Sequence, residues 1–219
     1  MKCYIEKRKR CPLFDGIAEE ELSKMLLCLG GRRKTYLKGE CIAAEGEPLK
    51  EIGIVLSGTV LIEQNDYCGN RSIIAHLETG ELFGESFACA DVEWLSVNVI
   101  AGEDTEVLFL DFRRITQTCT GACEFHSRMI YNLAKILAEK NLLLQQKVQV
   151  ISRRTTREKL LAYLDLQIKR TQSKRVSIPF DRQGLADYLG VDRSGLSVEI
   201  GKLKREGHLQ VKGNQFEVL

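Results

Sequence analysis

Apolar and polar positions follow three rhythms along this chain, and the changes of rhythm divide it. From Pro12 to about Leu29 the rhythm is helical. Glu19, Glu20 and Glu21 open a run in which Leu22, Met25, Leu26 and Leu29 recur at helical spacing, and Gly30 and Gly31 end it. From Lys34 to about Asp111 short β-rich runs take over: Cys41–Ala44, Ile52–Leu56, Thr59–Glu63, Ser72–Leu77, Ser96–Ile100 and Glu106–Leu110. Glycine, Asn or Asp separates most of them, as at Gly39, Gly46, Gly58, Asp66, Gly69, Asn70, Gly80 and Gly102. Many short strands with frequent turn signals predict an antiparallel sandwich or barrel.

The third rhythm is a heptad. Ile130, Ala134, Leu137, Asn141, Leu144, Val148 and Ile151 step by four and three along one long helix, from about Glu124 to Ile151. A second stripe, Met129, Leu133, Ile136 and Leu143, runs beside it. One stripe suits packing on the strand domain. The other suits a partner, and the natural partner is the same helix of a second chain. A lone Asn141 in such a seam fixes register at some cost in stability. An ordinary buried helix with one satisfied Asn is the plainer alternative. Ser152–Thr156 breaks the seam and predicts a hinge; Thr155 or Thr156 then caps a helix over Arg157 to about Arg170. The polar stretch Thr171–Arg175 predicts a loop.

The C-terminal segment carries the most specific pattern. Asp181 is a candidate N-cap for a short helix whose apolar face is Leu185, Ala186 and Leu189, and Gly190 ends it. Asp192 caps a second helix with Leu196, Ile200 and Leu203 on its inner face. Two helices joined by a tight turn at glycine predict a helix-turn-helix. Candidate DNA-contacting residues are Arg182, Gln183, Arg193, Ser194, Ser197, Lys202 and Lys204. Arg193 suits bidentate pairing with guanine, and the serines suit bases or phosphates. Lys202, Lys204 and Arg205 suit phosphates. His208–Val211 and Gln215–Leu219 flank Lys212-Gly213-Asn214 as a hairpin wing.

Composition agrees with this division. The 219 residues are 44% hydrophobic and 28% charged, which excludes disorder and low-complexity structure. The net charge of +2 hides an asymmetry. Ser152–Leu219 holds 14 Lys+Arg against 8 Asp+Glu, and the remainder is net acidic. A basic module joined to an acidic one points to a polyanion partner. No apolar run reaches the roughly 20 residues that span a bilayer. No secretory signal is visible in the first residues, so the expected setting is cytoplasmic, with no membrane partner.

The whole pattern resembles the cyclic-AMP receptor protein/FNR (Crp/Fnr) family of bacterial transcription regulators. The order of segments carries the resemblance, together with Lys38-Gly39-Glu40, Glu45-Gly46-Glu47, Leu56-Ser57-Gly58-Thr59-Val60 and Gly80-Glu81-Leu82-Phe83-Gly84-Glu85. It implies an α+β fold in three parts: an N-terminal antiparallel β-roll, cyclic-nucleotide-binding-like or jelly-roll, over 1–123; a dimerisation helix over 124–151; and a winged helix-turn-helix over 152–219. It further implies a homodimer on double-stranded operator DNA, with RNA polymerase as a further partner. The dimer residues would be Ile130, Ala134, Leu137, Asn141, Leu144 and Val148. The effector pocket would comprise Gly84, Glu85, Ser86, Ser96 and Asn141. In cyclic-nucleotide-binding relatives an arginine holds the phosphate, and its position here is Leu95. No Arg or Lys lies between Arg71 and Arg113, so a buried phosphate would lack its cation. The cofactor is therefore open, with cyclic AMP or cyclic GMP disfavoured and a neutral or apolar ligand in keeping with the altered pocket. Relatives often carry an arginine in mid-recognition helix, where this chain has Val198.

Eight cysteines in such a setting point to free thiols, metal or redox chemistry. Cys119, Cys123 and His126 fall on one face if the helix is continuous, and thiolate and imidazole suit zinc, copper or iron. A metal, iron–sulfur or haem redox sensor is therefore one alternative, and cysteines as small core hydrophobes are another. The closely clustered cysteines of FNR are not reproduced by Cys3 and Cys11. Lys7–Arg10 is a basic run suited to a solvated tail. An enzyme is not expected, since the three histidines His76, His126 and His208 stand in no nucleophile–base motif. A third alternative is a cyclic-nucleotide-binding-like interaction module that binds no DNA.

Overall fold

The computed structural model describes residues 11–65, 67, 71–117 and 124–219. It holds two compact units that divide between Ala138 and Glu139. Among the described residues, no helix is long and apolar enough to cross a membrane.

The first unit is built around two four-stranded antiparallel sheets. Its strands are β1 (Arg32–Tyr36), β2 (Cys41–Ala43), β3 (Glu51–Ser57), β4 (Val60–Asn65), β5 (Arg71–Leu77), β6 (Leu82–Phe83), β7 (Asn98–Ala101) and β8 (Thr105–Asp111). One sheet runs β1-β8-β3-β6 and the other β2-β7-β4-β5. The six β-rich runs of the sequence correspond to β2, β3, β4, β5, β7 and β8. Two strands escaped the pattern. β1 is Arg-Arg-Lys-Thr-Tyr, with no apolar alternation, and is strand only because it pairs with β8 from Arg32↔Phe109 to Tyr36↔Thr105. Its arginines make ion pairs within the sheet, Arg32 to Glu51 at 2.7 Å and Arg33 to Glu106 at 3.2 Å. β6 is only two residues long.

β3 and β8 read as nearly continuous apolar runs because both faces of the pair are covered. Ile52, Ile54, Leu56, Leu108 and Leu110 point into one core with Leu13, Met25, Leu29, Ile115, Met129 and Leu133. Val55, Val107 and Phe109 point the other way, into the interior of the roll, with Leu49, Val60, Phe83, Leu95 and Val99. The two-residue period of a strand divides the side chains between the two cores.

The helical expectation for Pro12–Leu29 needs correction. Pro12–Phe14 is a single 3-10 turn, and the helix α1 begins only at Glu19 and runs to Cys28. Gly16, at φ +75, lies between them and breaks the run. Short helices α2 (Glu85–Cys89) and α3 (Phe112–Thr116) follow. The long helix α4 spans Glu124–Ile151, with the predicted bounds. Within the first unit, the buried Asn132 donates from Nδ2 to the carbonyls of Leu13 (3.0 Å) and Asp15 (2.8 Å), tying α4 to the 3-10 turn. Of the second stripe, Met129, Leu133 and Ile136 are buried as expected, but Leu143 is exposed.

The second unit contains α5 (Thr156–Thr171), β9 (Arg175–Ser177), α6 (Arg182–Leu189), α7 (Arg193–Arg205), β10 (Leu209–Lys212) and β11 (Gln215–Val218). The strands form one sheet in the order β10-β11-β9. Leu160, Tyr163, Leu185, Leu196, Leu203 and Phe216 anchor its core, and Val150 of α4 joins them. The helix starts are set by side chains. Thr155 and Glu158 form a reciprocal capping box on α5. Asp181 accepts from the Gly184 N–H at 2.7 Å, and Asp192 from the Gly195 N–H at 2.8 Å. The Ser194 hydroxyl also donates to Asp192, and with the Gly195 N–H holds that carboxyl below its ordinary range. The Thr155 backbone N–H does the same for Glu158.

Two outcomes follow from these contacts. A Cβ on Gly53 of β3 would lie 2.1 Å from the Phe83 ring. Gly53→Ala should therefore destabilise the first unit by about 1–3 kcal/mol, measured by denaturant unfolding. The second concerns acid. A carboxyl held low in the fold stabilises it above the ordinary carboxylate range and loses that contribution as pH falls through its folded value. Melts taken from about pH 6 to about pH 3 should show wild type losing more stability than Asp192→Asn. Equal losses would count against the cap.

Candidate nucleic-acid interface

α6, the turn after it and α7 form the helix-turn-helix. Gly190 closes α6 in the left-handed conformation at φ +60, where a side chain would be strained. Leu196, Ile200 and Leu203 seat α7 in the core, leaving its opposite face to solvent.

α5 holds this pair from behind, through charged side chains that belong to no motif in the sequence. Lys159 donates from Nζ to the carbonyls of Leu189 (3.2 Å) and Gly190 (3.3 Å), at the turn just before α7. Arg157 makes a two-pronged ion pair with Glu206, the residue that caps the far end of α7. That contact raises the arginine and lowers the carboxyl from their ordinary values. His208 Nε2 lies 3.9 Å from the same carboxylate. The Thr155-x-x-Glu158 spacing was a visible signal for the start of α5; the Arg157–Glu206 contact, 49 residues apart, had none. Tyr163, Phe180 and Tyr188 cluster with ring centroids 5.1–6.3 Å apart, and Lys147 of α4 lies 5.5 Å over Tyr188. Burial pushes the Tyr163 hydroxyl up to about 12.

The predicted contact residues lie on the first turn of α6 and along α7. Arg193, Ser194, Ser197, Lys202 and Lys204 are all exposed on α7. Arg182 is half-buried, its guanidinium 5.7 Å over the Phe216 ring of β11. Burial first, and then the charge of Arg193, lowers its pKa. The two guanidinium groups thus repel each other, and among the described residues neither has a carboxylate ion-pair partner. Other candidates are engaged locally. Ser197 donates to the Arg193 carbonyl at 2.9 Å, Lys202 pairs with Glu199, and Gln183 Nε2 bonds Asp187 at 2.8 Å. Between the first turns of α5 and α7 lies an open cleft of about 580 Å³, lined by Thr155, Thr156, Arg157, Ser194 and Val198 among others.

The predicted sensor residues fall as follows. Gly84, at φ +78, starts α2, and a Cβ there would lie 2.5 Å from Leu49. Glu85 is buried, whereas Ser86 and Ser96 are exposed. Leu95 is buried inside the roll, its backbone bonded both ways to Gly46 and Glu47 at 2.9 Å. Asn141 belongs to the second unit, is exposed, and accepts from Gln145 at 3.5 Å. Cys119 and Cys123 lie outside the described residues, as does the Lys7–Arg10 run. His126 is buried, and among the described residues no group of three or more His, Cys, Asp and Glu is placed to hold a metal. Burial raises the Cys11 thiol to about 12, and burial with the nearby Glu85 raises that of Cys89. Burial thus disfavours the thiolate form at both.

Comparison with known proteins matches this geometry. Residues 33–121 fit the family model described as "Cyclic nucleotide-binding domain", and residues 158–219 fit "Crp-like helix-turn-helix domain". The chain is 29% identical over 210 residues to the cyclic AMP receptor protein of Thermus thermophilus, covering 96% of this chain and 93% of that one. It is 23% identical over 202 residues to electron transport regulator A of Shewanella oneidensis, covering 86% and 75%. Among solved structures, the c-di-GMP responsive global regulator CLP of Xanthomonas campestris superposes with a TM-score of 0.59 at 18% identity, covering 91% and 98%, a likeness of fold. The two matched domains, in this order and joined by one long helix, mean that the chain belongs to the Crp/Fnr family of DNA-binding transcriptional regulators.

Proposed function

We propose that the protein acts as a homodimer that binds a two-fold symmetric operator in double-stranded DNA, with half-sites about 34 Å apart. The observation that carries this reading is the outward face of α7. There Arg193 is exposed, and the half-buried Arg182 of α6 lies over Phe216 of the wing; among the described residues neither guanidinium has a carboxylate ion-pair partner. Such a pair is relieved by an anion, and the phosphate backbone and guanine edges supply one. Gln183, Ser194, Ser197, Lys202 and Lys204 complete the contact set, and Lys202 exchanges Glu199 for phosphate. The protein works by binding, not by catalysis, in the cytoplasm, and RNA polymerase is the machinery it addresses.

The dimer reading rests on the seam of α4. Leu144 and Val148 are 63% and 57% exposed, and Ile130, Ala134, Asn141 and Ile151 are exposed with them. Leu137 instead packs partly against the core of the first unit. A seam so apolar calls for a partner, and a heptad calls for another helix of the same period.

The β-roll is the sensor. Its interior is closed by Leu95, Phe83, Phe109 and Val99, with no cation where relatives hold a phosphate, which favours a neutral effector over a cyclic nucleotide. A neutral ligand would lie near Gly84–Ser86 and Ser96.

Binding by the full-length protein to operators selected from random duplex DNA tests the first reading. Arg193→Ala should weaken binding by about 1–3 kcal/mol and relax the preference at one base pair. Unchanged affinity would remove Arg193 from the contact set. Sedimentation tests the second: wild type should be a dimer at micromolar concentration and Leu144→Asp a monomer. A wild-type monomer would overturn the seam.

A further inference from the structure

The outward face of α7 carries a residue that phosphate and hydrogen-bonding chemistry leave without a task. Val198 is 56% exposed at the middle of this helix. The apolar needs of α7 are already met on its other side by Leu196, Ile200 and Leu203. Its exposed neighbours along the helix are polar: Ser194 four residues before, Ser197 beside it, Lys202 four residues after.

The surroundings of Val198 make it prominent. Gly195 and Gly201, three residues before and after, share its face. A Cβ at Gly201 would meet nothing within 4 Å, and one at Gly195 would meet only the Asp192 carboxylate, at 3.6 Å. Packing inside the protein therefore does not require glycine at either place, although each costs about 1 kcal/mol relative to alanine in a helix. The outcome is a short branched apolar knob raised between two bare stretches of backbone. A helix stripped of side chains on both sides of the knob can lie close to the floor of a groove, near enough for a short side chain to touch it.

The chemistry of the floor then selects the contact. In the major groove, guanine, adenine and cytosine edges offer donors and acceptors, and thymine alone adds a methyl group. Valine has no hydrogen-bonding group. Set against a guanine or cytosine edge, it would displace water and leave polar atoms unpaired, which is unfavourable. Set against a thymine methyl, it buries apolar surface on both sides. We propose that Val198 reads the 5-methyl group of a thymine in each half-site, and so specifies a T·A pair at the position facing mid-α7. This rests on the DNA reading of α7 given above.

The test uses the full-length protein and the operator it selects from random duplex DNA. Each thymine of one half-site is replaced in turn by deoxyuridine, which removes the methyl group and leaves every hydrogen-bonding group in place. At one position wild type should bind about fourfold more weakly, the effect of one buried methyl group. Val198→Ala, which favours the helix and so keeps the fold, should bind the thymine and uracil operators alike. Its salt dependence should match wild type, since no phosphate contact is lost. If wild type is indifferent to uracil everywhere, or the variant keeps the sensitivity, the proposal fails while the selected operator upholds DNA binding. If no operator is selected at all, the DNA reading fails and the proposal with it.

Discussion

The antiparallel pairing of β3 with β8 is the constraint on which the first unit depends. The register runs from Glu51↔Asp111 to Ser57↔Glu106, so alternate residues of both strands face opposite cores. One face gives α1, α3 and the first half of α4 an apolar surface to lie on, and the other closes the interior of the roll. Slipping either strand by one residue would exchange the two sets of side chains and spoil both cores together. β1 and β6 are held at the flanks of this pair, and Gly53 sits where the Phe83 ring lies against the sheet.

Legibility in the sequence followed the distance over which each contact acts. α4, α6 and α7 were readable because their period, their Asp caps and the Gly190 turn are local signals. The six apolar strand runs were readable from alternation and glycine punctuation. β1 was not, because Arg32–Tyr36 is strand through partners 69 to 77 residues away. The 3-10 turn at Pro12 reads in sequence as the start of a helix because Leu13 and Phe14 are apolar, while Gly16 acts through a conformation that periodicity does not reveal. At the interface, the residues that point outward were legible as the polar side of an amphipathic helix. Those that brace the helix from behind, Arg157, Lys159 and Glu206, look in sequence like ordinary surface charges.

α4 takes part in both units, and its two stripes have separate destinations. Met129, Leu133 and Ile136 belong to the core beneath β3 and β8, and Val150 belongs to the core beneath α7. The heptad seam, apart from Leu137, is left to solvent. The same helix thus contributes side chains to the cores of both units and leaves most of its heptad seam, the exposed Asn141 included, outside them. Helices with two discrete ways of packing can convert a small change at one site into a change at another.

The way α5 holds α7 has a consequence for how such a regulator diversifies. Lys159 fixes the turn before the helix and Arg157 fixes the residue after it, while the core takes only its inward side. The outward positions contribute little to keeping the helix in place. Arg193, Ser197 and Val198 therefore leave the seating of the helix untouched when exchanged. Descendants of one ancestral scaffold can acquire new target sites by point substitution, and the regulatory network can be rewired faster than the protein's architecture changes.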